Sequence, residues 1–308
     1  MEQRRLGTSG LKVSAIGLGC NNFGMRISIE ETQTVVDAAL DNGITFFDTA
    51  DVYGGTKSEE FLGAALKGKR DKAVVATKFA MGENAGGSRR YIVSAVEASL
   101  KRLGTDRIDL YQMHRPDPET PIDETLRALD DLVRDGKVLY LGNSNFSGWQ
   151  IADADWTSKT QGLERFVSAQ NNYSLLERNV EREVLPACEQ FGLGFLPFFP
   201  LASGLLSGKY SRGEAPPEGT RLAAWGPRGA AALNDKNFDR IEKLEAWAQD
   251  NGHTILELAF AWILGHPVVS SVIAGATKVD QIVANAKAGD WKLTPDQVEE
   301  VTKLVSKD

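Results

Sequence analysis

Short apolar runs alternate along this chain with longer stretches in which apolar residues recur every three or four positions. The runs at residues 14–19, 44–48, 73–78, 108–114, 138–144, 166–170, 194–198 and 270–274 predict eight strands. The amphipathic stretches at 29–41, 88–102, 122–135 and 180–191 predict helices, and 293–307 predicts one more near the end. Ser28 ahead of Ile29, Glu30 and Glu31 reads as a capping box. Gly43, Gly104, Gly136 and Gly192 each follow a predicted helix, where a left-handed residue closes the last turn. Strand, helix, glycine, strand is the rhythm of parallel βαβ units. Residues 3–6 and 11–14, around Thr8, Ser9 and Gly10, predict an N-terminal β-hairpin that covers one opening of the fold.

Continuous alternation predicts an α/β chain folded as a (β/α)8 TIM barrel with that N-terminal β-hairpin, in one domain spanning residues 1–308. An open dinucleotide-binding sheet is the competing fold, because Gly17, Leu18 and Gly19 follow a predicted strand. The next glycine is Gly24, which departs from GxGxxG, and Asp48 lies about 30 residues on, where that fingerprint expects an acid after about 20. One segment breaks the rhythm. Residues 202–235 are rich in Gly, Pro and Arg, and a loop of that length in a compact domain is expected to be functional.

Composition narrows the function. Hydrophobic residues at 42% and charged residues at 25% are ordinary for a globular protein, and a net charge of −7 with no basic run excludes a nucleic-acid surface. No stretch approaches the roughly 20 apolar residues of a membrane span, and the polar N-terminus lacks a signal-peptide core, so a cytoplasmic protein is expected. Cys20 and Cys188 give neither a disulfide framework nor zinc spacing, and His114, His253 and His266 form no ligand pair; no metal is expected.

Strand ends in a barrel converge at one mouth. The second predicted strand ends at Asp48 and is followed by Tyr53, the third ends at Lys78 and the fourth at His114. A lone Asp or Tyr in DTADVYGG is explained as well by capping or packing. A lysine drawn into a barrel mouth is harder to explain without a carboxylate such as Asp48 beside it. Together the four make a proton-transfer device: Tyr53 as acid, Lys78 lowering its pKa, Asp48 orienting the lysine, and a neutral His114 fixing a carbonyl oxygen.

The chain resembles the aldo-keto reductases over essentially its whole length, most specifically in GITFFDTADVYGGTKSEEFLGAAL, with the four residues falling on that family's catalytic tetrad. The resemblance implies an NADPH-dependent reductase of aldehydes or ketones, bound to a small carbonyl substrate. Ser144, Asn145 and Gln170 are, on their own, equally well read as strand-end caps; LGNSNF and QNNYSLLER resemble the family's nicotinamide-carboxamide segments, and so they are assigned to the cofactor NADP(H), as is the edge of Asp48. Phe198 stands where the family usually stacks Tyr or Trp under the nicotinamide, and Phe199 replaces a frequent Ser. Pro200, Leu201, Ala202, Ser203 and Gly204, with Ser207, Lys209 and Arg221, are implied for the pyrophosphate. Thr277 and Lys278 are implied for a 2′-phosphate, though on their own they read equally as an N-cap and a surface charge; Gly275 is assigned to the cofactor, and Gln281 and Asn285, four apart on one helix face, to adenine. Gly19, Cys20 and Asn21 occupy the first strand end, where both side chains depart from the family's usual pair, and Cys20 is expected to be a small buried residue.

The chain also resembles the potassium-channel β-subunit branch of that family, so a cofactor-sensing regulatory subunit is the second reading. It begins almost at its hairpin, without a long preceding extension, which is expected to favour a free-standing enzyme. Substrate choice is expected to lie in residues 23–27, 79–87, 115–118 and 222–234, with Phe23, Phe79, Trp225 and Arg228 as their prominent side chains. The sequence leaves the substrate and the oligomeric state open.

Overall fold

A computed structural model describes residues 1–306. Strands β1 (Gln3–Arg5) and β2 (Lys12–Ser14) pair antiparallel as the N-terminal hairpin. Eight further strands lie parallel in sequence order: β3 (Ile16–Gly19), β4 (Phe46–Asp48), β5 (Val74–Phe79), β6 (Ile108–Met113), β7 (Val138–Ser144), β8 (Phe166–Gln170), β9 (Gly194–Phe195) and β10 (Val272–Gly275). β10 returns to pair with β3. The remaining seam, between β9 and β10, closes through parallel bridges Phe195 to Val269 and Phe198 to Ile273, with the Ile273 amide donating to the Pro197 carbonyl. The fold is a (β/α)8 barrel.

Helices α1 (Ile29–Asp41), α2 (Lys57–Ala65), α3 (Arg89–Leu103), α4 (Ile122–Arg134), α5 (Gly148–Gln161) and α6 (Val184–Phe191) follow the successive strands from β3 to β8. The segment that breaks the sequence rhythm holds a tight 3-10 stretch at Ala202–Ser207 and two short helices, α7 (Arg221–Ala224) and α8 (Pro227–Ala232). After it come α9 (Asp235–Asp250), α10 (Ile255–Leu264), α11 (Val279–Ala288) and α12 (Pro295–Val305). Lys307, the end of the predicted last helix, lies outside the described residues. Ser28 makes the capping box read from the sequence, its hydroxyl accepting from the Glu31 amide while the Glu31 carboxylate accepts from the Ser28 amide.

Three departures from the sequence pattern have a clear local reason. The run at 14–19 divides at Ala15, because the buried Ser14 hydroxyl donates to the Ile16 carbonyl and accepts from the Thr45 and Phe46 amides, bending the chain from hairpin to barrel. The run at 194–198 keeps only two ladder residues, since Pro197 has no amide to donate. The helix expected at 180–191 breaks at Glu183 into a 3-10 turn and α6. Pro186 in a continuous helix would clash with the carbonyl one turn back.

The barrel interior is filled by Phe46, Ala76, Leu110, Leu196 and Ile273, and the hairpin's Leu6 and Val13 complete that cluster from the N-terminal end of the strands. Gly7 presses against the chain at the start of β9: a Cβ there would meet the Gly192 carbonyl at 2.4 Å. Arg4 fastens the hairpin to the Leu264 and Val269 carbonyls. With this end plugged, a cleft is left at the opposite, C-terminal end. No helix among the described residues is long and apolar enough to cross a membrane.

Candidate active site

Asp48 is the last residue of β4, Lys78 lies next to last in β5, and His114 follows β6; all three are buried. Lys78 Nζ donates to Asp48 Oδ2 at 2.6 Å and to the Thr49 carbonyl at 2.8 Å. The other Asp48 oxygen accepts from Gln112 Nε2 at 3.1 Å and Gln170 Nε2 at 2.9 Å. A buried ion pair is tolerated only when its remaining hydrogen-bonding capacity is met, and these amides meet it. Burial acts to lower the Lys78 pKa, but attraction from Asp48 and Tyr53 overcomes it and leaves the net shift upward.

Tyr53 sits in the turn between β4 and α2. Thr49 and Ser58 share a hydrogen bond of 2.8 Å across that turn, and the Ser58 hydroxyl donates to the Cys20 carbonyl. Lys78 Nζ stands 5.1 Å from the Tyr53 ring centroid, and the His114 ring meets Tyr53 edge-on with centroids 5.7 Å apart. The sequence led to a depressed phenol pKa; the structure corrects this. Burial pushes Tyr53 upward and outweighs the pull of the Lys78 ammonium. Burial also pushes His114 down to about 3, helped by repulsion from Lys78 and Arg115, so its imidazole is neutral at physiological pH.

Asp48, Tyr53 and His114 line a cleft of about 1040 Å³. In the same cleft, the Ser144 hydroxyl donates to the Gln170 carbonyl, while Asn145 Nδ2 donates to the His114 carbonyl and to Ser144 Oγ. Gln170 Nε2 is committed to Asp48 and Gln112. The side-chain carbonyls of Asn145 and Gln170 have no hydrogen-bond partner among the described residues, which suits a ligand carboxamide donating N–H. Asn145 holds φ at +60°, a left-handed conformation that asparagine tolerates better than most residues.

Beyond β9 the backbone is contorted: Phe199, Ala202 and Ser203 all have positive φ. Strain of this kind collects at ligand clamps. Phe198 and Phe199 pack edge to face, and the Arg221 guanidinium lies 5.2 Å from the Phe199 ring. Gly19, Asn21, Pro200, Leu201, Gly204, Ser207, Lys209, Gly275, Thr277, Lys278, Gln281 and Asn285 complete this half. Burial and repulsion from neighbouring arginines pull both Lys209 and Arg221 below their ordinary pKa values. Two cations that disfavour one another, an exposed Lys209 and a partly buried Arg221, are a place for a polyanion. A Cβ on Gly275 would fill the space beside Asn22, Asn21 and Arg221, the nearest atom at 3.2 Å. The donor set and the acceptor pair therefore fit a nicotinamide dinucleotide.

Several sequence expectations are displaced. Cys20 turns its thiol into the core, 3.5 Å from the Leu18 carbonyl, and does not reach the cleft; neither does Ala202. Lys78 lies sealed beneath the floor rather than on the wall. Lys278, not Thr277, is the N-cap of α11, and the Gln281 side-chain carbonyl accepts from the Thr277 amide at 2.7 Å, so Gln281 braces the turn. Phe23 and Phe79 are buried, Phe79 stacked on Tyr111 at 4.7 Å, while Trp225 faces Arg228 outside the cleft.

Gln112 and Asn22 also belong to the site although neither was singled out from the sequence, while Arg26 and Arg115 lie in the loops at 23–27 and 115–118 that were expected to set substrate choice. Gln112 was readable: in DLYQMH it sits two residues before His114 and so shares its face of β6. Arg26, whose guanidinium donates to the Gly219 carbonyl at 2.6 Å, depends on a loop-to-loop contact that no local pattern announces.

Residues 15–306 match the profile of the aldo/keto reductase family. An uncharacterized oxidoreductase, YrpG, of Bacillus subtilis (strain 168) is 40% identical over 95% of this chain and 92% of its own length. A probable voltage-gated potassium channel subunit beta of Oryza sativa subsp. japonica is 37% identical, covering 99% of this chain and 97% of its own. Versiconal hemiacetal acetate reductase of Aspergillus parasiticus is 35% identical over 97% and 95%.

Proposed function

The chain belongs to the aldo/keto reductase family, and from that premise we propose that it is an NADPH-dependent reductase of aldehydes or ketones with Tyr53 as general acid. When bound, the nicotinamide supplies hydride to the carbonyl carbon. Everything else falls to this chain. His114, neutral and edge-on to Tyr53, donates a hydrogen bond to the carbonyl oxygen and fixes it beside the phenol. Tyr53 keeps its proton in the resting site because burial raises its pKa, and it releases that proton as negative charge grows on the substrate oxygen. Lys78 carries charge next to the ring that becomes a phenolate, and Asp48 holds the ammonium in place.

Asn145 and Gln170 orient the carboxamide through their free carbonyls. Lys209 and Arg221 face the pyrophosphate and Lys278 the 2′-phosphate, favouring NADP over NAD. The observation that carries this reading is the coupling of two features in one cleft: Tyr53 and His114, with Lys78 beneath them, and a set of cations that disfavour one another. A single barrel domain in the cytoplasm is the setting we assign it.

A regulatory reading is favoured by one observation, the near full-length likeness to proteins named potassium channel β subunits. Oxidation of NADPH by a panel of aldehydes, read by absorbance, separates the two. Turnover supports the reductase; tight NADPH binding without turnover supports the sensor.

A further inference from the structure

We propose that the carbonyl substrate of this cleft carries a carboxylate, and that Arg115 binds it; the inference rests on the reductase reading above. Arg115 follows His114 directly as the chain leaves β6, and lines the cleft beside Tyr53, His114 and Met81. Its Nε donates to the Ala80 carbonyl at 3.3 Å, which ties the guanidinium stem to the loop after β5. The terminal nitrogens have no protein partner among the described residues.

Arg115 is exposed at the cleft mouth, and no carboxylate pairs with it there, in contrast to the less exposed arginines of the barrel wall. Arg70, Arg102, Arg165 and Arg178 each pair with a carboxylate: Asp109, Glu59, Asp155 and Glu181 respectively. A solvated surface charge would explain Arg115 if it stood away from the site. It stands at the site, close enough to His114 that its charge helps keep the imidazole neutral.

Charge accounting within the cleft points the same way. Lys209, Arg221 and Lys278 lie on the walls built by the segment after β9 and by the start of α11, where the dinucleotide phosphates would match them. Arg26 is held by the Gly219 carbonyl. Arg115 alone stands on the opposite wall, with Tyr53 and His114, and no phosphate of the cofactor is assigned there. A planar guanidinium with free terminal nitrogens takes a carboxylate through two parallel hydrogen bonds. Met81, with 41% of its surface exposed, offers an apolar side for the carbon frame that joins the acid to the carbonyl.

The test compares 2-, 3- and 4-carboxybenzaldehyde with their methyl esters, using the NADPH-loaded protein at low ionic strength. The readout is the ratio of kcat/KM for each acid to that for its ester. In the wild type at least one isomer should favour the acid by about tenfold or more, as a charge-assisted bidentate contact allows. Arg115→Met should collapse that ratio mainly through KM, Arg115→Lys should keep part of it, and about 0.5 M salt should shrink it by screening. Reduction of acids and esters with no preference in any isomer, or a preference that Arg115→Met leaves intact, overturns the assignment while leaving the reductase reading standing. Failure to reduce any of the six compounds overturns both.

Discussion

Lys78 Nζ and Asp48 Oδ2 lie 2.6 Å apart with both side chains sealed from solvent, the lysine at 0% and the aspartate at 4% exposure. Asp48 forms part of the cleft floor and Lys78 lies beneath it, at the ends of adjacent parallel strands, where β4 and β5 place Asp48 level with Ala76 and bring Lys78 just beyond it. Such a pair contributes less to stability than to a fixed charge at a fixed place.

Breaking it from one side should therefore cost more than removing it whole. Asp48→Asn leaves an ammonium buried without a counter-charge and should destabilise the fold by about 3–5 kcal/mol. Asp48→Asn combined with Lys78→Met should recover much of that loss, since a linear apolar side chain fills the lysine's path. Urea unfolding of the single and double variants measures the difference, and both should lose carbonyl reduction.

The His114 shift predicts a pH slope of known sign. Its folded pKa of about 3 lies below the unfolded value of about 6.5, so the unfolded chain binds the proton first. The stabilisation is complete above about pH 6.5 and is lost on acidification toward 3, at up to about 1.4 kcal/mol per pH unit. His114→Gln should flatten this part of the profile. Urea midpoints at pH 5 and pH 7.5, wild type against variant, test it.

Asp51 predicts the opposite slope. Burial and the nearby Glu59 carboxylate raise its pKa to about 7, and its Oδ1 has no hydrogen-bond partner among the described residues. Its folded form holds a proton that the unfolded chain has already lost, so its contribution falls as pH rises from about 4 through 7. Asp51→Asn should stabilise the protein at pH 8 by an amount on the order of 1–3 kcal/mol. In the wild type the two slopes oppose each other over the range they share, so the variants show what the parent profile conceals.

Much of this was legible in the sequence, for reasons that differ by residue. The strand rhythm needs only alternating burial, and Val138–Ser144 and Phe166–Gln170 appear with their predicted bounds. Asp48, Lys78 and His114 were readable because strand ends in a barrel share one mouth. What was not readable depends on how distant segments meet. The burial that reverses the Tyr53 shift is not written in its local sequence, the Gln281 brace depends on the turn before α11, and Arg26 is fixed by the Gly219 carbonyl, far away in sequence.

Lys278, the N-cap residue of α11, makes no side-chain cap hydrogen bond; it is exposed, with no carboxylate in ion-pair contact among the described residues. Lys278→Ala should weaken NADP(H) binding about tenfold or more, the order of one charge-assisted contact to phosphate, and reduce the preference over NAD(H) accordingly. Titration of both cofactors by fluorescence gives the two dissociation constants whose ratio decides the matter.

The central claim is that Tyr53 delivers the proton. Tyr53→Phe keeps the ring that packs against His114 and Lys78 and removes only the hydroxyl. Single-turnover reduction of an aldehyde by the NADPH-loaded variant should be slower by about 10²–10⁴-fold, the usual worth of a positioned general acid, while NADPH still binds. A Tyr53→Phe protein that reduces the aldehyde at the wild-type rate would contradict the account.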